Sequence, residues 1–345
     1  MIVFTWAIPS ASAFWGELDM VKYIIKRLLM MIPVIIGISL VVFALVNFSP
    51  GDPVDMLIGV RASAEAKNEL REQLGLQLPF WMRYFNYMKQ AVTGNFGISY
   101  RTKLPVLQEI WSRFGVTVNL AFGAVVITVL LGIPIGVISA VKQYSIMDNT
   151  TLVAALFLSS MPGFWLGTLL ILVFALQAKW VATTFVNSFS GYILPWITLA
   201  AGQMATIVRN TRSNMLEVIR ADYIKMARAK GASEARVVMR HALRNALLPI
   251  VTLLGMNFVE LLGGAVVIEQ VFTVTGLGSL ALISIHQLDT PMVMGEVMFL
   301  AFLAGMTNLV IDVVYVYIDP RLKSLYVRIR KKREKVKIQS SIESN

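Results

Sequence analysis

The chain has 345 residues, 57% of them hydrophobic and only 15% charged, with a mean hydropathy of +0.69 and a formal net charge of +11. Soluble domains carry about 25% charged residues, so this composition excludes a water-soluble globule, and a chain this apolar is not disordered. The absence of cysteine removes disulfide scaffolds and thiolate metal sites, and two histidines, His241 and His286, leave little for a zinc site.

Residues 1–21 lack a basic, periodic pattern and are expected to form a flexible tail, or to reflect an early start codon. Lys22, Lys26 and Arg27 then precede an apolar run. The run is too long for a signal peptide, and Asn47-Phe48-Ser49-Pro50 offers no small-x-small cleavage site, so residues 22–48 are predicted to be a retained first transmembrane helix. A bilayer core about 30 Å thick needs about 20 helical residues. Stretches 28–51, 114–141, 149–178 and 180–208 hold no charged residue at all. Two further stretches, 245–268 with Glu260 and 291–318 with Glu296 and Asp312, complete a prediction of six spans. A carboxylate at mid-helix costs about 2.5–3.5 kcal/mol, which turns Glu260 toward protein or water rather than lipid.

Residues 49–113 form the one long segment on the outer side. Ser49-Pro50-Gly51-Asp52-Pro53 is a turn cluster, Ser63 is placed to cap a helix carrying Ala66, Leu70 and Leu74, and Gly75 ends it. The aromatic run from Leu78 to Met88 suits a helix lying on the membrane interface or on other helices. The segment is either a small folded cap or a docking platform for a soluble partner. Within the spans, Gly132, Pro134, Gly136, Pro162, Gly163 and Gly167 break the regular helical surface, either for close packing or to shape a path.

Charge sets the orientation. Twenty-two of the 31 basic residues fall on the side that holds both termini, and most of the other nine sit in the long outer segment. Both termini are therefore expected in the cytoplasm, with a basic tail over residues 319–345 near anionic lipid rather than nucleic acid. The fourth loop is the most informative segment. It has nine basic against three acidic residues, and Tyr223, Ala227 and Gly231 fall four apart, giving a short helix with a small, partly aromatic face suited to a groove on another protein. Ser233 can cap the next helix, and Pro249 is expected to start the fifth span.

From Asp222 through Gly231, and again from Arg240-His241-Ala242 to Leu248-Pro249, the chain resembles the cytoplasmic coupling loop of ABC importer permeases, in the version of the oligopeptide/dipeptide/nickel class. Gly94-Asn95-Phe96-Gly97, Gly132-Ile133-Pro134-Ile135-Gly136, Gly276-Leu277-Gly278 and Asp319-Pro320-Arg321 extend the likeness, and the long outer segment is similar to that of the B-type subunit. Lys225-Met226-Ala227 replace the general Glu-Ala-Ala, the spacing from Gly231 to Pro249 is longer, and Val274-Thr275 stand where relatives often have Trp-Pro.

The resemblance implies an all-α permease fold whose transmembrane domain is residues 114–318, including a coupling loop at 209–246. It implies a sister permease forming a heterodimer with this chain, two ATPase subunits below and an extracytoplasmic solute-binding protein above. Asp222, Tyr223, Ala227, Arg228, Ala229, Lys230, Gly231 and Ser233 would contact an ATPase. The chain has no Gly-Lys pair, hence no phosphate loop, so ATP and Mg belong to the partners, and no catalytic or metal site is expected here. Asn119, Ser159, Ser160, Gln203, Asn210, Asn257 and Glu260 are polar groups expected to face the bundle interior; of these, Asn119, Ser160, Gln203, Asn257 and Glu260 are the substrate-path candidates. Cargo is expected to be short peptides, with nickel chelates, glutathione or opine-like compounds as alternatives. A secondary transporter would show inverted repeats, an intramembrane enzyme facing catalytic groups, and a mere scaffold no reason for a small-faced helix in a basic loop.

Overall fold

The computed structural model describes residues 11–263 and 265–318, with side chains from residue 24 to 314 apart from Gly264. Residues 1–10 of the expected N-terminal tail and all of the basic tail, with Asp319-Pro320-Arg321, lie outside the described residues. The described residues form thirteen helices and no strand, only an isolated bridge between Ile98 and Pro105.

The first helix, α1 (Ala11–Phe48), begins well before Lys22, so residues 11–21 are helical rather than part of a tail. Gly51 at φ +122° turns the chain, and the Asp52 carboxylate accepts from Val54 N–H at 2.9 Å to start α2 (Pro53–Ile58) with proline in its first turn. Ser63 accepts from Ala66 N–H at 3.2 Å to start α3 (Ala64–Gln73), which ends as expected before Gly75 at φ +65°. The aromatic run becomes α4 (Phe80–Val92).

A long span, α5 (Val106–Val141), follows. Its π-helical turn at Thr128–Gly132 ends two residues before Pro134, whose ring and missing N–H a regular turn would not accommodate. The third predicted span is broken. α6 (Ile146–Ser160) and α7 (Gly163–Gln177) meet at 98°, because Pro162 forces Met161 into an extended conformation (φ −83°, ψ 126°) and offers no N–H of its own.

α8 (Phe189–Ile219), α9 (Asp222–Ala229) and α10 (Glu234–Leu262) correct the predicted boundaries. α8 runs eleven residues past Val208, and α10 starts at Glu234, leaving Pro249 inside the helix. The segment 209–246, which its sequence reads as helix, is helical apart from 220–221 and 230–233. Arg209, Arg212 and Arg240 lie within these helices rather than at their ends. α11 (Val266–Val271), α12 (Leu277–His286) and α13 (Thr290–Ile318) complete the order. Among the described residues five helices are long and apolar enough to cross a membrane, or six where the bent α6–α7 pair counts as one span.

The centre of the bundle is α8, packed against α5, α6, α7 and α10. Leu120, Ala121 and Ala124 of α5 meet Tyr192, Leu194 and Leu199 of α8, Leu261 and Leu262 of α10, and Ile268 and Phe272 near α11. Gly136 lets α5 approach α8 closely, since a Cβ there would stand 2.6 Å from Thr211 Cβ and 2.8 Å from the Val208 carbonyl. α1 and α13 pair along one flank, with Met31 against Gly305 and Arg27 Nη2 at 2.8 Å from Asp312 Oδ2. Elsewhere along its length α1 exposes Leu29, Ile32, Val41 and Leu45, apolar side chains that a helix in a membrane can leave facing outward.

Candidate functional site

The short helix α9 sits on the protruding ends of α8 and α10. Its start is set by Ala221, extended at ψ 148°, and its end by Lys230 and Gly231, the latter in the left-handed region at φ +80°. Ile224 is the anchor. It is completely buried among Val137 and Ala140 of α5, Met215 of α8, and Val237, Ala242 and Ala246 of α10. Burying an isoleucine side chain contributes about 1.5–3 kcal/mol, and this one ties α9 to the ends of three spans at once.

Polar bonds hold the rim. Arg228 donates to both carboxylate oxygens of Glu234, at 2.7 and 3.2 Å, and Asn245 Nδ2 donates to the Tyr223 hydroxyl at 3.2 Å. Lys225 Nζ lies 2.9 Å from Asp222 Oδ1. These are exposed pairs and contribute little each. Ser233 holds the cap position of α10, but its hydroxyl accepts no backbone bond there.

The outward surface differs from the expected face. Ala227 turns partly toward the Ile224 side, whereas Asp222, Tyr223, Lys225, Met226, Arg228, Ala229, Lys230 and Gly231 are exposed. Met226, 60% exposed, is the apolar centre of that surface. A stripe of four-residue spacing pointed to Tyr223-Ala227-Gly231; the pair Ile224 and Ala227, three apart, is the one that marks the buried side.

A buried clamp stands beside this knuckle. Asp148 at the start of α6 takes two bonds from Arg212 of α8, at 2.7 and 2.8 Å. It also accepts from Ser139 and, at 2.9 Å, from Tyr144 N–H. Arg220 reaches Gln143 at 3.1 Å. The turn between α5 and α6 is therefore fastened to the end of α8. Sequence reasoning did not find this clamp, since Asp148 and Arg212 share no local pattern.

At the opposite end of the bundle, two buried carboxylates organise the connections. Glu269 accepts from Ser279 N–H at 2.6 Å and Thr117 Oγ1 at 3.2 Å, and Thr117 Oγ1 in turn accepts from Leu277 N–H at 2.8 Å. Gly276 and Gly278 are packed so close to the Glu269 carboxylate that a Cβ on either would crowd it. Burial raises the proton affinity of Glu269 above the ordinary value of 4.5, and the bonds from Ser279, Thr117 and Gly278 offset part of that. Buried Glu296 of α13 and Arg113 of α5 lie within electrostatic reach of one another. Asp289 accepts from Ser99 Oγ, from Tyr100 N–H at 3.1 Å and from Arg101 N–H at 3.3 Å, locking the 98–105 turn onto the start of α13. Burial, opposed by Arg83 and reinforced by Asp289, pushes Tyr100 up to about 12, so it stays a neutral phenol.

The polar groups expected in the bundle interior divide. Asn119, Ser159, Ser160 and Glu260 are exposed on the chain, and the two serine hydroxyls bond the Leu156 carbonyl of their own helix at 2.9 and 2.8 Å. Hydroxyls satisfied locally have no need of the core. Gln203, Asn210 and Asn257 are half-buried, and Gln203 Nε2 lies 3.4 Å from the Asn257 carbonyl.

Comparison with known proteins adds the following. The family model described as binding-protein-dependent transport system inner membrane component matches residues 132–324, and the model of the N-terminal part of such membrane components matches residues 20–121. The glutathione transport system permease protein GsiC of Escherichia coli K12 is 40% identical over 304 residues, covering 88% of this chain and 99% of its own length. The dipeptide transport system permease protein DppB of Alkalihalophilus pseudofirmus is 37% identical over 332 residues, covering 88% and 100%. Among solved structures, an inward-facing conformation of the MetNI methionine ABC transporter superposes with a TM-score of 0.51 at 19% identity, over 62% of this chain and 97% of that one, a likeness of fold.

Proposed function

The chain belongs to the family of inner membrane components of binding-protein-dependent transport systems, in the dipeptide and oligopeptide class of ABC importer permeases, and from that premise we propose how it works. It imports short peptides, glutathione among them, along a path formed with a sister permease. The relatives' names, one for glutathione and one for dipeptides, support this cargo class. Two ATPase subunits bind ATP and Mg, and one of them docks on α9; a solute-binding protein delivers cargo to the other face. Both termini lie in the cytoplasm, a reading supported by the basic residues and by the Arg27–Asp312 pair, which joins the start of the first span to the end of the last.

The observation that carries the coupling role is the seat of Ile224. ATPase closure moves α9 as a rigid body, and its buried anchor passes that displacement to the ends of α5, α8 and α10 together. Asp222, Tyr223, Arg228, Ala229, Lys230, Gly231 and Ser233 form the contact with the ATPase, joined by Met226, while half-buried Ala227 shapes the knuckle from within. A path between two permeases runs over surfaces that each chain exposes when alone. Exposed Asn119, Ser160 and Glu260 suit that surface, with Gln203 and Asn257 behind them.

The test uses the assembled transporter in lipid vesicles, reading peptide uptake and ATP hydrolysis stimulated by the loaded binding protein. Ile224→Ala removes an anchor whose truncation costs about 2–5 kcal/mol and is expected to abolish uptake and stimulation while the ATPase subunits keep their basal hydrolysis. Ala229→Trp, on the exposed surface, is expected to lower ATPase co-purification without unfolding the permease. Normal uptake and co-purification in both variants would remove the coupling assignment.

A further inference from the structure

The segment between the first two spans contains a helix that is not where a cap would put it. α4 runs antiparallel to α1, side by side with it. At its start the Phe80 ring stacks on Phe48 at 5.9 Å and packs on Phe43 at 5.0 Å. One turn on, the Tyr84 ring lies 5.5 Å from Phe43, and its hydroxyl meets Ser39 Oγ at 2.9 Å and the Ile36 carbonyl at 3.2 Å. Near its end Met88 Sδ is 3.6 Å from the same Ser39 hydroxyl. Phe48 is the last residue of α1, and Ser39 lies nine residues before it, about 13 Å down the axis at 1.5 Å per residue. Half of a hydrocarbon core is about 15 Å. The chain then climbs back along α13, with Phe96 against Gly295, Gly97 against Pro291 and Ser99 bonded to Asp289.

The side chains of α4 sort accordingly. Tyr84 and Ala91 are buried against the bundle. Arg83 turns up toward the end of α1, donating to Asn47 Oδ1 with its guanidinium 5.7 Å from the Phe43 ring, as a cation does when its backbone lies below the polar boundary. Trp81, Phe85 and Val92 are 58%, 65% and 83% exposed and at 100° per residue share one flank about 40° wide. Asn86, Lys89 and Gln90 occupy the other exposed flank. At the same levels of α1, Val41 and Leu45 are 58% and 66% exposed.

We propose that α4 is an intramembrane helix, dipping into the leaflet that the C-terminal end of α1 crosses and holding Trp81, Phe85 and Val92 against lipid acyl chains. The occupant follows from depth. A soluble partner does not reach that far below the end of α1; acyl chains suit the apolar flank of Trp81, Phe85 and Val92, while Asn86, Lys89 and Gln90 need protein or water on theirs. The inference rests on the chain's spanning a membrane and not on its cargo or its orientation.

The chain has no cysteine, so single cysteines carry a nitroxide cleanly. In the assembled transporter, reconstituted in phosphatidylethanolamine and phosphatidylglycerol vesicles, Phe85→Cys and Val92→Cys are labelled, with Glu65→Cys on exposed α3 as the reference. Collision rates with dissolved oxygen and with a neutral nickel chelate are then read by power saturation. The expected result is an oxygen-to-nickel ratio severalfold higher at 85 and 92 than at 65. Nickel accessibility equal to that at 65 would return α4 to an aqueous cap, and exclusion of both reagents would mean that protein covers the flank. Either outcome overturns the proposal.

Discussion

Gly231 shows how one residue type is demanded by one backbone angle. Nothing stands within 4 Å of a Cβ placed there, so the constraint is its φ of +80° alone. A side chain in that region costs about 1–2 kcal/mol, least for asparagine. Gly231→Asn is therefore expected to retain most of the coupled ATP hydrolysis and Gly231→Val to lose it, in the vesicle assay. Two carboxylates at the opposite end respond to pH in opposite senses. Burial disfavours the Asp52 carboxylate, yet the Arg71 bond, the Val54 N–H and the charges of Arg71 and Lys67 outweigh it and hold the group below its ordinary value of 3.8. Its stabilisation is present above that value and is lost as pH falls through the lowered one. Glu269 is raised, so its contribution is complete at low pH and declines as pH rises through the raised value. Hydrogen exchange followed against pH is expected to quicken in 53–58 on acidification and in 276–280 on alkalinisation. The same direction in both segments would contradict these assignments.

Among elements, the membrane spans and caps were readable and the breaks were not fully so. Absence of charge over 20 or more residues located the spans, because bilayer thickness imposes it. Ser63 and Gly75 bounded α3 because capping is local chemistry. The lengths of α8 and α10 were misjudged for a physical reason: a charged residue ends the contact with lipid but suits an exposed helix turn perfectly well. Pro162 was visible as a breaker, yet the 98° angle it leaves between α6 and α7 depends on packing against distant residues. Gly167 is one such contact, with a Cβ there meeting Phe272 at 3.0 Å and Val271 at 3.3 Å. Gly167→Leu overfills that joint, and a loss of about 1–3 kcal/mol is expected as a lower melting temperature of the purified transporter. Of the candidate coupling site, the short helix Asp222–Ala229 was legible as a helix, whereas its seat was not, since Ile224 meets partners from three helices spread over more than a hundred residues.

For the whole molecule, the buried pair of Asp148 and Arg212 fastens the broken third span to the central helix, with the aspartate side chain 1% exposed. Removing one member strands the other, at about 3–5 kcal/mol. Arg212→Met is therefore expected to lower thermal stability strongly, and Arg212→Met with Asp148→Asn much less, measured by thermal denaturation in detergent. Equal losses would mean that the pair does not act as a unit. A last consequence concerns the seat of Ile224. An oily plug in an oily socket resists extraction, and the bonds of Arg228 to Glu234 and of Asn245 to Tyr223 set its angle. Under the proposed coupling, a seat held at its centre by oil and at its rim by polar bonds hands on both push and turn.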